Sequence, residues 1–193
     1  MRYILDIKEC EFLGKGHEGS VYLTPEGYAL KIFLKKKKAE EVSILELVKT
    51  SKFFPKVIFI AGNMILREYV DGVTLFEHLK KNGISYKLSC EIIDLIEDFK
   101  KMKFKRLNIR NAHIFVDKNE NIKVIDPRKI FTKNTPYPKD IIKILVNLNI
   151  FDDFLKNVAQ YRSDLLQYYV DAYNYYVYMS KKSMHIDMHA EIC

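Results

Sequence analysis

Residues 13–23 read LGKGHEGSVYL, and the way the chain continues past its last glycine decides the fold. Gly14, Gly16 and Gly19 carry the spacing G-x-G-x-x-G, which lets a backbone approach a phosphate closely and adopt dihedrals other residues avoid. The same spacing opens a helix in dinucleotide-binding βαβ units. Here Gly19 runs instead into Val21-Tyr22-Leu23, which has the β-branched and aromatic character of a strand. Thr24-Pro25-Glu26-Gly27 then puts Pro and Gly where a tight turn favours them, and YALKIF (28–33) returns as a further strand. The glycines therefore belong to a strand hairpin, and the dinucleotide-binding arrangement is set aside.

Working outward, YILDIKECEFL precedes the hairpin with strand character. Lys31 lies on the strand after it, and an inward lysine on a half-buried strand needs an anionic partner. Taken alone, Lys31 reads as a surface residue. The acidic helix that follows, AEEVSILELVKT (39–50), changes that reading. Val42, Leu45 and Val48 fall on one of its faces with Ile44 beside them, and Glu41 is in register to meet Lys31, with Glu40 and Glu46 as alternatives. Pro55 ends this region. VIFI (57–60) and MILREYV (64–70) are strands around Ala61-Gly62-Asn63.

From Asp71-Gly72 onward the pattern is mostly helical, with helices over 74–81, 86–104, 140–148 and 164–179. A small hairpin of 114–116 and 122–126 interrupts them around the turn 117–121. The expectation is an α+β chain: one domain over 1–193, with a strand-rich lobe over 1–70 and a helical lobe over 71–193.

These pieces together resemble the protein-kinase-like superfamily. The glycine hairpin, Lys31 in ALKI, the segment Glu68-Tyr69-Val70 and Asp126 in VIDPR fall in that family's order, over about residues 10–150. The resemblance implies that Gly14, Gly16, Gly19 and Val21 cover a nucleotide and that Lys31 with Glu41 holds its phosphates. It also implies that Glu68 and Val70 present backbone groups to adenine and that Asp126 binds a metal. Arg67, just before that adenine-binding segment, stands where the family usually has an apolar residue. Only 14 residues separate Asp126 from Asp140, the match to a buried Asp of a central helix. No ordinary activation segment fits in that length, so the compactness is similar to that of RIO-type and other atypical small kinases.

The loop LNIRNAHIF (107–115) departs from the family. Its catalytic Asp falls 18 residues before Asp126, at Asn108, and its metal-binding Asn 13 residues before, at His113. Asn108 can orient a hydroxyl but cannot accept its proton, and general-base help is worth roughly 10²–10⁴-fold. An imidazole at 113 suits Mn²⁺ or Zn²⁺ better than Mg²⁺. Arg110 retains a cation where many kinases steady the γ-phosphate with Lys. The expected function is that of a weak ATP-dependent phosphotransferase using ATP with Mg²⁺ or Mn²⁺, on a protein or small-molecule acceptor. The alternative is an inactive pseudokinase that binds nucleotide or a partner.

Composition bounds the rest. With 48% hydrophobic and 30% charged residues, the chain folds and is not disordered. Four of the seven net positive charges are the run Lys35–Lys38, which reads as a solvated segment. That makes nucleic acid an unexpected partner, and contact with RNA or a membrane surface through this run is a third alternative. No apolar run reaches the ~20 residues of a membrane span, and MRYILDIKEC lacks a signal peptide's apolar core. Cys10, Cys90 and Cys193 suggest neither disulfides nor zinc, so a cytoplasmic setting is expected. His185 and His189 are four apart without an evident third ligand, and read as a frayed tail. Tyrosines 168–178 read as core and a possible homodimer face.

Overall fold

The structure is a computed structural model that describes residues 6–34, 38–126, 130–131 and 134–190, with backbone alone for 38–41 and 183–190. The chain divides into two compact units, Met1–Gly72 with Lys123–Arg128, and Val73–Ile122 with Lys129–Cys193.

The first unit is built on an antiparallel sheet of five strands: β1 (Glu11–Gly16), β2 (Gly19–Leu23), β3 (Tyr28–Phe33), β4 (Val57–Ala61) and β5 (Met64–Glu68). Their spatial order is β1-β2-β3-β5-β4. Gly16 pairs with Gly19, so His17-Glu18 is a two-residue turn and the glycines do form a strand hairpin. Gly19 lies so close to β3 that an added Cβ would stand 1.9 Å from the Ile32 carbonyl oxygen. The Thr24–Gly27 turn closes with the Gly27 N–H donating to the Thr24 carbonyl, and Gly27 takes φ 82°. Helix α1 (Lys38–Leu47) follows β3. Its Ile44 and Leu45 are buried, as are Val48, Phe53, Phe54, Leu30, Phe33, Ile65 and Leu66.

The second unit holds a short strand β6 (Val73–Thr74) that pairs with β7 (Ile114–Val116), and the helices α2 (Leu75–Asn82), α3 (Tyr86–Lys101), α4 (Lys139–Asn147), α5 (Phe151–Tyr161) and α6 (Leu166–Ala190). Thr74 and Glu77 form a reciprocal capping box that starts α2. The turn Asp117–Asn121 leads into β8 (Ile122–Val124), along which the chain passes from the second unit to the first. The core is built from one face of each helix: Leu88, Ile92, Leu95, Ile96 and Phe99 of α3, Ile141, Ile142 and Leu145 of α4, Phe154 and Val158 of α5, and Tyr169 of α6.

Four features differ from the sequence reading. Ile7–Glu9, expected within a strand, is a 3-10 turn capped by Asp6, and the strand begins only at Glu11. Helix α5 had no expected counterpart, β6 was not foreseen, and the backbone of α6 stays helical to Ala190 where a frayed tail was expected. Among the described residues no helix is long and apolar enough to cross a membrane.

Candidate functional site

In the first unit the sheet itself positions the candidate groups. Directly paired residues on adjacent strands point to the same side. Val21 pairs with Lys31, and Lys31 with Ile65, so these three share one face across β2, β3 and β5. Arg67, two residues past Ile65, lies on that face as well.

Lys31 and Arg67 are both buried, at 3% and 4% exposure. Buried cations at this level need anionic partners, and one carboxylate serves both. Asp126 Oδ1 accepts a hydrogen bond from Lys31 Nζ at 2.8 Å and forms an ion pair with Arg67 Nη2 at 3.6 Å. Glu18, in the hairpin turn, adds a second carboxylate 3.9 Å from Lys31 Nζ, and the Phe33 ring lies 4.9 Å from the same nitrogen. Asp126 holds its side chain there from a backbone at φ 51°, the left-handed region that Asp tolerates at a cost of roughly 1–2 kcal/mol.

Glu68 closes the end of β5. Its N–H donates to the Lys56 carbonyl, and its carboxylate accepts from the Lys56 N–H at 3.2 Å and from Lys123 Nζ at 3.1 Å. Val70 is half-buried in the segment that follows. Gly14 and Gly16 face open space, with nothing within 4 Å of an added Cβ. Of the three glycines only Gly19 is required by the packing of the sheet. The side chains of Glu41, expected opposite Lys31, and of the run Lys35–Lys38 lie outside the described residues.

In the second unit the loop 105–113 is tied to Ile130 and Thr135. The N–H groups of Lys105 and Arg106 donate to the Ile130 carbonyl, the Leu107 N–H to the Thr135 carbonyl, and the Thr135 N–H to the Lys105 carbonyl. Leu107, Ile109 and Ile114 anchor the loop in the core. Asn108 is held at three points: its N–H donates to Thr135 Oγ1 at 3.3 Å and its carbonyl accepts from Arg106 Nε at 2.8 Å. Its side-chain Oδ1 accepts the Asp140 N–H at 2.7 Å.

That last bond caps helix α4, whose own N-terminal residue Pro138 supplies no side-chain cap. Asp140 itself is half-buried in the first turn of α4, not the buried carboxylate expected at that position. Arg110 is exposed, and His113 ends the 3-10 turn Asn111–His113 with its N–H on the Arg110 carbonyl. A recess of roughly 260 Å³ beside this loop is lined by Phe76, Asn111, Asp140, Lys143, Ile144 and Asn147.

The described residues do not fit a divalent ion at Asp126. Its Oδ1 already carries two cationic side chains, and no cluster of three His, Cys, Asp or Glu capable of holding a metal occurs among the described residues. Mg²⁺ needs several hard oxygen donors in near-octahedral array, and two positive charges beside the oxygen it would take oppose its approach.

No protein-family model matches the chain. A curated protein, "Putative serine/threonine-protein kinase YrzF" of Bacillus subtilis (strain 168), is 27% identical over 126 residues, which are 62% of this chain. The fold is protein-kinase-like. The five-stranded sheet carrying the glycine hairpin and Lys31 is its strand-rich part. This chain spans 59% of the length of that kinase-named relative. Among solved structures, Rad53 residues 1–466 in complex with AMP-PNP aligns with a TM-score of 0.46 at 18% identity, over 62% of this chain and 38% of that one.

Sequence reasoning missed Glu18 and Arg67 around the Lys31–Asp126 pair, and Thr135, Arg106 and Asp140 at Asn108. Arg67 was legible in principle, because a charge in the apolar run Met64–Leu66 must be compensated once the strand is buried.

Proposed function

We propose that this kinase-like chain binds a nucleoside triphosphate through its first unit and holds it without turning it over. One observation supports the binding half above the others: Lys31, buried and ion-paired to Asp126, lies on the strand beside a hairpin whose Gly14 and Gly16 leave open space for a phosphate. Half-buried Val21 pairs with that lysine on the same face, offering apolar contact to a base, with the backbone at Glu68–Val70 as its hydrogen-bonding edge. Asn108 supports the silent half: a carboxamide cannot accept an acceptor hydroxyl's proton, and its oxygen already accepts the Asp140 N–H. A cytoplasmic setting accords with the free thiols of Cys10 and Cys90.

The test is recovery of bound nucleotide. ATP incubated with the protein should be bound and come back intact. Conversion to ADP that disappears in Asp126→Ala would refute the silent half. It would favour a weak phosphotransferase, the reading to which exposed Arg110, two residues after Asn108, lends support.

A further inference from the structure

We propose that Arg67 stands in for the divalent cation, so that nucleotide binding by this chain is independent of Mg²⁺. The inference rests on the nucleotide-binding reading above and deepens it. Asp126 is the one described carboxylate at the position the family fold assigns to a metal ligand, yet its Oδ1 is shared between Lys31 Nζ at 2.8 Å and Arg67 Nη2 at 3.6 Å. The two cations reach it from adjacent strands. Lys31 comes from β3 and Arg67 from β5, on a common face of the sheet and with both side chains almost wholly buried.

A guanidinium held this way is a permanent charge, since Arg does not deprotonate in proteins. Its planar fork of donors matches phosphate oxygens as well as carboxylates. A metal ion at Asp126 Oδ1 would have to displace one buried cation or settle beside both, and each course is electrostatically unfavourable. Arg67 therefore does two things with one group. It blocks the metal position, and it supplies the positive charge that a triphosphate would otherwise draw from solution.

The experiment measures ATP affinity by calorimetry in EDTA and in Mg²⁺, for the native chain and for Arg67→Met and Arg67→Lys. It is paired with Mn²⁺ binding followed by electron paramagnetic resonance on the nucleotide-free proteins. The native chain should bind ATP equally in both buffers, within about twofold, and should take up no Mn²⁺. Arg67→Met should lose about tenfold or more in EDTA, as the loss of one charge-assisted contact implies, and recover when Mg²⁺ is added. It should also bind Mn²⁺. Arg67→Lys, which keeps a cation without the planar fork if the Met variant folds poorly, should still take up no Mn²⁺ and should retain an EDTA affinity between those of the native chain and Arg67→Met. Native affinity that rises tenfold with Mg²⁺ would overturn the proposal while leaving the nucleotide reading intact. So would Mn²⁺ uptake by the native chain that vanishes in Asp126→Asn. No ATP binding in either buffer would overturn both.

Discussion

Replacing Gly19 by Ala tests whether the glycine hairpin is a packing device, a ligand device, or both. An added Cβ would stand 1.9 Å from the Ile32 carbonyl oxygen, 2.8 Å from its carbon and 2.9 Å from Phe33 Cα. All three are backbone atoms of β3, so no rotamer change relieves the clash, and β2 must part from β3 at the Gly19–Phe33 pair. Overpacking a closed site costs typically about 1–3 kcal/mol, and the upper end applies where only backbone can yield. With a urea dependence of about 2 kcal/mol per molar, a loss of ~3 kcal/mol lowers the unfolding midpoint by about 1.5 M. Gly16→Ala is the matched control. Nothing lies within 4 Å of its added methyl, so its midpoint should stay within the equivalent of about 0.5 kcal/mol. Urea titrations of both variants decide the matter. Equal midpoints for Gly19→Ala and Gly16→Ala would refute the close approach of β2 to β3.

Other consequences follow from single contacts. Asn108→Ala removes the acceptor of the Asp140 N–H and should destabilise by about 1–2 kcal/mol, as loss of a helix cap does. Asn108→Asp should keep that cap and its stability, so an unchanged Ala variant, or an Asp variant that loses as much stability as Ala, would contradict the cap. The Tyr169 hydroxyl is buried and has no hydrogen-bond partner among the described residues, so Tyr169→Phe should raise stability by about 1 kcal/mol in the same urea assay. A loss would reveal a bond that the packing does not show.

The Asp117 carboxyl is pushed up by burial, but donors from the Asn121 side chain and N–H, the Asn119 N–H and the Lys87 charge together hold it below its ordinary value. A depressed carboxyl contributes stability that is full above its unfolded pKa and is lost as pH falls through the folded one. The stability gap between the native chain and Asp117→Asn should therefore shrink from about pH 7 to about pH 3, and a gap constant across that range would sink the account.

The sheet was legible because its signals are local. Val21-Tyr22-Leu23 and YALKIF show strand composition around a Pro–Gly turn, and that turn forms where it was expected. Helix α5 was hidden by Asp152 and Asp153, which look like loop residues but sit in its first turn, where the helix dipole favours acids. Its signal was Phe151, Phe154 and Val158 at helical spacing, all now buried.

The site was legible as a set of positions but not as a set of bonds. Lys31 was expected to need a carboxylate, and the carboxylates described beside it come from Glu18 in the turn and from Asp126, 95 residues away. Asn108 stood out as a lost base, whereas its use as a cap depends on an N–H 32 residues further on. Pairings of such long sequence separation leave no periodicity to read, since only the folded backbone brings them together.

The central claim is that the face of the sheet bearing Lys31 holds a nucleoside triphosphate. Calorimetric titration of ATP into the native chain and into Lys31→Met tests it most directly. Saturable binding to the native chain, weakened about tenfold or more in Lys31→Met, is the result expected for loss of a charge-assisted phosphate contact. Equal affinity in the two proteins, or no heat of binding to the native chain at millimolar ATP, would contradict it.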